Sequence, residues 1–286
     1  MEKASDPISN ITMLTTGHAR IRPEHVGPTW KPMPLWLLTS RSWTDYLPVN
    51  VFVIEHREGV VLFDTGQDRA AVTDAKYFPK RIDRFVNARM AQVDYEADET
   101  LEAGLTRLGY DAADVSKVVI SHLHPDHVGG LKSLMHSEIL ISSDEWATLS
   151  RPMPESRGVY PYHIDLPGLS WSRIIPEPLA DPKIKPFETG HDIYGDGSLV
   201  VLPTPGHTPG SISLLVRRPG HVPLLLVGDL TYDDELLRRG ELSGMCSRRL
   251  TKRVTGMVND LRNNMAGLAV LPSHDPASAE RLNAAG

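Results

Sequence analysis

One cysteine, Cys246, is all the chain has, so no disulfide can close within it and a zinc site built from several thiolates is excluded. Long apolar runs are missing too. None reaches the roughly 18 residues that a membrane span needs, and no membrane association is expected. Basic excess is absent: the formal net charge is −6, which argues against a nucleic-acid surface. The longest basic cluster, Arg248-Arg249 with Lys252-Arg253, sits in RRLTKRVTGMVNDLR. Leu250, Val254, Met257 and Leu261 recur there at helical spacing, so the charges read as the solvated face of a helix. The opening MEKASDPISN lacks the basic-then-apolar order of an export signal. A reducing, cytoplasmic location is the expectation.

What is present is an ordinary globular composition, 41% hydrophobic and 23% charged over 286 residues, enough chain for a sizeable core. Short β-branched or leucine-rich runs cover Val49–Ile54, Val60–Phe63, Val118–Ser121, Ile139–Ser142, Leu199–Leu202, Ile212–Val216, Leu224–Val227 and Leu268–Leu271. Bounded by Gly, Pro, Asp or Asn, they predict buried strands. Helical patterns lie between them. Asp98-Glu99-Thr100 leads into LEAGLTRLGY, with Leu101, Leu105 and Leu108 on one face and Gly109 near the stop. Ser143 is placed to cap a second helix in SDEWATLS. Residues 1–48 read as an irregular segment carrying Trp30, Trp36 and Trp43. Residues 151–196, rich in Pro, Gly and aromatics, read as an insertion whose YPYH stretch at 160–163 looks exposed. The pattern predicts one mixed α/β domain over residues 1–286, with sheets covered by helices.

Four apolar runs end in a histidine or an aspartate. VVIS leads to His122, VVLPTPG to His207, LLLVG to Asp229 and AVLPS to His274. Loops at strand ends are where a rigid scaffold presents chemistry. The first run opens SHLHPDHVGG, which crowds His122, His124, Asp126 and His127 into six positions. Alternation in extended backbone puts His122 and His124 on one side, and Pro125 then turns Asp126 and His127 in another direction. Gly129-Gly130 permits close packing and unusual dihedrals. Burying four such groups without a cation would be costly. The geometry suits two adjacent metals: His122, His124 and His207 on one, Asp126, His127 and His274 on the other, with Asp229 bridging. An all-N/O set fits zinc and tolerates manganese, iron or cobalt. Two such ions lower the pKa of a shared water to about 7, which is hydrolytic chemistry. The other histidines, His18, His25, His56, His136, His163, His191 and His221, stand alone and read as ordinary surface or core residues.

H-x-H-x-D-H followed by G-G resembles the signature of the metallo-β-lactamase superfamily. FDTG at 63–66, TPGHTPGS at 204–211, GD at 228–229 and SHD at 273–275 match its remaining parts in order. The resemblance spans roughly residues 49–276. It implies an αββα sandwich of two mixed sheets flanked by helices, with the metals at one edge. It also implies that Asp64 stands behind the site and orients a ligating histidine. Within the superfamily, the commonest zinc β-lactamases carry a cysteine where Asp229 falls, and flavodiiron members usually carry a glutamate where His124 falls. The glutathione-gripping C-terminal segment of glyoxalase II and the accessory segments of the RNA-processing members are not found.

Tyr232, in GDLTYDDE, matches in position the tyrosine that N-acyl-homoserine lactonases hold beside their metals. The reading that follows is opening of an N-acyl-homoserine lactone, hence quorum quenching, by a metal-bridging hydroxide. Tyr232 would donate to the ring carbonyl, and Asp126 would carry the proton to the leaving alkoxide. The acyl chain needs an apolar groove, for which the N-terminal Met33, Leu35, Trp36, Trp43 and Tyr46 are candidates; the same region leaves room for a homodimer contact. The alternative is another hydrolase of this fold, acting on a phosphotriester, a thioester or a different lactone.

Overall fold

A computed structural model describes residues 6–286; the first five residues, part of the chain start read above for a leader, lie outside the described residues. The strands are β1 (Ile8–Ile21), β2 (Leu47–His56), β3 (Gly59–Phe63), β4 (Ala91–Asp94), β5 (Val115–Val119), β6 (Glu138–Ser142), β7 (Ser170–Ile174), β8 (Glu177–Pro178), β9 (Thr189–Asp192), β10 (Leu199–Pro203), β11 (Ile212–Val216), β12 (Leu224–Gly228) and β13 (Ala269–Pro272). They make two mixed sheets, ordered β4-β1-β2-β3-β5-β6-β7 and β13-β12-β11-β10-β9-β8. Six of the eight apolar runs expected to form a strand lie within one; Val118–Ser121 runs past the end of β5 and Leu268–Leu271 starts one residue before β13.

The side-chain alternation of these strands builds four layers. Phe52, Ile54, Val61 and Phe63 of the first sheet meet Val201, Leu214, Leu226 and Leu271 of the second in a core between the sheets. Phe52 and Phe63 are direct partners across β2 and β3, with ring centroids 6.4 Å apart, an arrangement worth about 0.5–1.5 kcal/mol beyond its area burial. The intervening residues face outward. Val51, Val53, Leu62 and Val118 pack against Leu101 and Leu105 of the helix Leu101–Arg107. Val200, Leu202, Leu225 and Val270 pack against Val254, Val258 and Leu261 of the helix Arg248–Asn264. Both faces of both sheets are therefore covered, which is why the strands read as continuous apolar runs. This is the αββα sandwich. The basic residues Arg248, Arg249, Lys252 and Arg253 are exposed on the long helix, as its periodicity predicts, although Leu250 is exposed with them. Among the described residues no helix is long and apolar enough to cross a membrane.

Four expectations need correction. Of the segment 1–48, the described part is not irregular: it holds the 14-residue β1, which pairs with both β2 and β4. Its register slips between Thr15 and His18, and that bulge breaks the two-residue alternation by which a strand is recognised. Residues 151–196 are not simply inserted either, since β7, β8 and β9 extend both sheets. Tyr160 of the YPYH stretch is buried against Tyr77 and Phe78. Finally, Ser142 and not Ser143 caps the helix Ser143–Trp146, its hydroxyl accepting from the Glu145 amide.

Candidate metal centre and active site

The site lies at one edge of the sandwich because five strands end there. β3 and β5 are parallel. β10 and β12 are each antiparallel to β11, so they run together with β13. Two backbone hydrogen bonds stitch the sheets at this edge, Ile212 N–H to the Ser121 carbonyl and Asn50 N–H to the Ser273 carbonyl, both 3.0 Å. Beyond β5, Leu123 is wholly buried in the outer core while His122 and His124 turn the other way. Pro125 opens a one-turn helix, Pro125–Val128, that carries Asp126 and His127 round to the second half of the site. The two glycines that follow have ordinary φ values of −63° and −86°. Close approach demands them instead: a Cβ on Gly129 would lie 2.1 Å from the Asp68 nitrogen.

The ligand atoms of His122, His124 and His207 lie within 4.8 Å of one another, as do those of His122, His127 and Asp229 and those of Asp126, His127 and His274. All seven residues expected at the centre are thus brought together. Their proton positions follow from their partners. His124 gives its Nε2–H to the Arg157 carbonyl at 2.9 Å, and His207 gives Nδ1–H to the Met245 carbonyl at 3.0 Å. His274 gives Nδ1–H to the Pro48 carbonyl, and His127 gives Nδ1–H to Asp64, both at 2.8 Å. Ser121 Oγ donates to Asp64 and so accepts from His122 Nδ1 at 3.0 Å. Each ring has turned one N–H outward and so aims its other nitrogen inward, where a bound cation would take the place of any proton. His124 Nδ1 is then 3.0 Å from both His122 Nε2 and His207 Nε2, three acceptors with no proton between them. His127 Nε2 and Asp229 Oδ1 are 3.2 Å apart, buried, and without a hydrogen bond among the described residues. Such a set is complementary to cations, and its donors fit divalent ions of the zinc type.

Asp229 is central. Oδ1 faces His127 and also His274, at 3.3 Å, while Oδ2 faces His207 at 3.5 Å. Tyr232, buried, donates its hydroxyl to Oδ2 at 2.7 Å, and its ring stacks on His274. Asp126 Oδ2 lies 3.3 Å from His274 Nε2 and is partly open to solvent. Burial opposes the charge on these carboxylates, but His127 and His274 outweigh it and hold both Asp126 and Asp229 below their ordinary range. Burial likewise opposes charge on His274, yet Asp229 and Asp126 lift it to about 10. His207, where burial wins, falls to about 3. Burial, then Asp229, pushes the Tyr232 phenol well up, so it stays a proton donor.

Two buried carboxylates brace the centre from behind. Asp64, at the end of β3, adopts a left-handed φ of 63°. It accepts from Ser121 N–H at 2.7 Å and from Ser121 Oγ and His127 Nδ1, behind the site where the resemblance puts it. The other brace was not foreseen. Glu145, wholly buried, accepts from Leu123 N–H at 3.1 Å with one oxygen. Its other oxygen accepts from Thr208 Oγ at 2.6 Å and Gly210 N–H at 3.0 Å. One carboxylate therefore ties the His122–His124 loop to the loop that follows His207. Its only sequence signal is an acidic residue in the first turn after Ser142.

An apolar cleft opens onto Asp229, Tyr232 and His274, walled by Ile21, Met33, Leu47, Val86, Met90 and Val93. A second, more polar cleft, lined by Trp30, Lys31, Cys246 and Arg248, shares Met33, His124, Ser156, Arg157 and Met245 with it. Met33 thus stands where the sequence reading places it. Trp36 does not: it is wholly buried, lines neither cleft, and stands 6.1 Å from the His25 ring. Leu35 and Tyr46 are exposed away from the clefts, and Trp43 lies under the Arg22 guanidinium. His25, read above as an ordinary residue, is at the site. Its Nε2 is 3.0 Å from the Tyr232 hydroxyl, and burial lowers its pKa to about 4.

The sequence model of the metallo-beta-lactamase superfamily matches residues 44–281. An N-acyl homoserine lactonase of Azorhizobium caulinodans is 31% identical over 252 residues, covering 84% of this chain and 86% of its own. A solved N-acyl homoserine lactone hydrolase, with the product N-hexanoyl-L-homoserine at its catalytic metal centre, superposes with a TM-score of 0.73 at 19% identity over 96% of both chains. A dizinc quorum-quenching lactonase does so with a TM-score of 0.57 at 18% identity, over 93% of this chain and 87% of its own.

Proposed function

Since this chain belongs to the metallo-β-lactamase superfamily and is a hydrolase of that fold, we propose that it opens the lactone ring of N-acyl-homoserine lactones at a centre of two divalent ions, zinc by donor type. The observation that carries the reading is Tyr232, whose hydroxyl stands 2.7 Å from the central Asp229 at the floor of an apolar cleft. The 31% identical lactonase and the dizinc lactonase of the same fold support the same assignment.

His122, His124 and His207 would hold one ion, Asp126, His127 and His274 the other, and Asp229 both. When bound, such ions supply a water acidified to a pKa of about 7 and a polarised carbonyl. The chain's own residues do the rest. The walls Ile21, Leu47, Val86, Met90 and Val93 take the acyl chain out of water and so orient the ring. Tyr232, kept protonated, donates to the carbonyl oxygen as negative charge develops there. Asp126, ionised and partly open to solvent, accepts the nucleophile's proton and returns it to the leaving alkoxide, which becomes the hydroxyl of the acyl-homoserine product. The test is pH-stat titration of the acid released from a short-chain and a long-chain N-acyl-homoserine lactone by metal-replete protein. Turnover supports the reading. Hydrolysis of a phosphotriester or thioester with neither lactone opened would replace it with another hydrolase of the fold.

A further inference from the structure

A phenol has one proton, and Tyr232 has two neighbours that could take it. Asp229 Oδ2 lies 2.7 Å and His25 Nε2 3.0 Å from its oxygen. Asp229 is a carboxylate that can only accept, so the phenolic proton points there. His25 Nε2 must then donate, because two lone pairs would otherwise face each other at hydrogen-bonding distance. Its other nitrogen, Nδ1, is buried with no hydrogen-bond partner among the described residues, as suits a nitrogen that carries no proton.

We infer that His25 is a positioning residue for lactone opening: by giving its Nε2–H to the Tyr232 oxygen it leaves the phenol only a donor's role, toward Asp229 in the free site and toward the reacting carbonyl once substrate is bound. The inference rests on the lactonase reading above for its kinetic consequence, though not for its geometry. An oxygen that already accepts a hydrogen bond is a stronger donor, and it cannot swing its proton back toward His25. The imidazole is held for this task. Its ring lies edge-on to Tyr232 with centroids 5.3 Å apart and stacks on His207 at 6.2 Å. Trp36 stands behind it at 6.1 Å, and the His25 carbonyl accepts the Gly244 amide at 3.2 Å. Trp36 thus serves the site through His25 and not by touching substrate. Both residues lie outside the span 44–281 that matches the family, so this arrangement is supplied by the chain's N-terminal segment.

The experiment uses metal-replete wild type, His25→Phe, His25→Gln, Tyr232→Phe and the His25→Phe/Tyr232→Phe double variant. Lactone kinetics are joined to a two-bond proton–nitrogen imidazole spectrum, in which the His25 signal is the one missing from the His25 variants. Expected are an Nε2–H tautomer for His25 and a roughly tenfold fall in kcat for His25→Phe with KM within about twofold. The same change should alter kcat less than about twofold once Tyr232 is phenylalanine. Glutamine, whose terminal amide can place an N–H near the same spot, should restore most of the rate. An Nδ1–H tautomer overturns the inference, and so do losses that multiply in the double variant. If the wild type opens no lactone, the lactonase reading fails by itself and the tautomer still decides the role of His25.

Discussion

His127 gives its Nδ1–H to Asp64 at 2.8 Å, and that contact decides which nitrogen His127 turns toward Asp229. Asp64 receives three donors in all, from Ser121 N–H, Ser121 Oγ and His127. Asparagine offers one acceptor oxygen and would aim an NH2 at one of the donors. In Asp64→Asn the affinity for divalent metal should fall about 10- to 100-fold, read by competition with a chromophoric chelator. Unchanged affinity would remove Asp64 from the account.

Glu145 permits a sharper test of the scaffold. In Glu145→Gln the loop after His207 loses one acceptor and meets a donor in its place. The metal-free variant should unfold with about 1–3 kcal/mol less stability, measured by urea titration. A variant as stable as wild type would mean that the two loops hold themselves.

Acid should weaken the metal-free fold by a defined route. Burial lowers His25 to about 4 and His207 to about 3, below the value of an unfolded histidine. Below about pH 6.5 the unfolded chain therefore binds protons that the fold refuses, and stability present above that pH is lost as pH falls toward 4. His25 alone accounts for roughly 3 kcal/mol at the end of that range. His274, lifted to about 10 by Asp229 and Asp126 against its burial, acts in the opposite direction: its contribution is complete below pH 6.5 and is lost as pH rises through 10. Melting temperatures of chelator-stripped protein should fall on both sides of neutrality, with a flatter acid arm in His25→Phe. An acid arm of the same slope in that variant would contradict the assignment.

The apolar cleft makes chain length adjustable. Val86 lines it from the helix Arg81–Met90. Val86→Trp should lower kcat/KM for a long-chain lactone relative to a short-chain one by roughly tenfold, with the short-chain rate largely kept. An equal loss on both would place the acyl chain elsewhere, with the second cleft the next to probe.

Much of this site was legible because its ligands stand in short motifs at the ends of apolar strands, where neighbouring sequence supplies the context. SHLHPDHVGG needed only alternation, a proline and two glycines to be read as half of a centre. His25 had no such context. It sits in PEHV, and its meaning comes from Tyr232, 207 positions away. Glu145 looked like a helix-start acid because its hydrogen bonds to Leu123, Thr208 and Gly210 are all tertiary. Trp36 was misplaced since an aromatic near a substrate loop can face inward or outward, and packing alone decides. Strands buried on both faces were found by composition, whereas β1, bulged and half exposed, and the short β7, β8 and β9 gave neither an apolar run nor clean alternation.

The central claim is that five inward lone pairs and two carboxylates hold two ions that together open a lactone. The most direct measurement is the rate of N-acyl-homoserine lactone hydrolysis as zinc is titrated into chelator-stripped protein. The expected curve starts near zero and reaches its plateau at two equivalents per chain. A plateau at one equivalent, or full turnover in the stripped protein, would contradict the account.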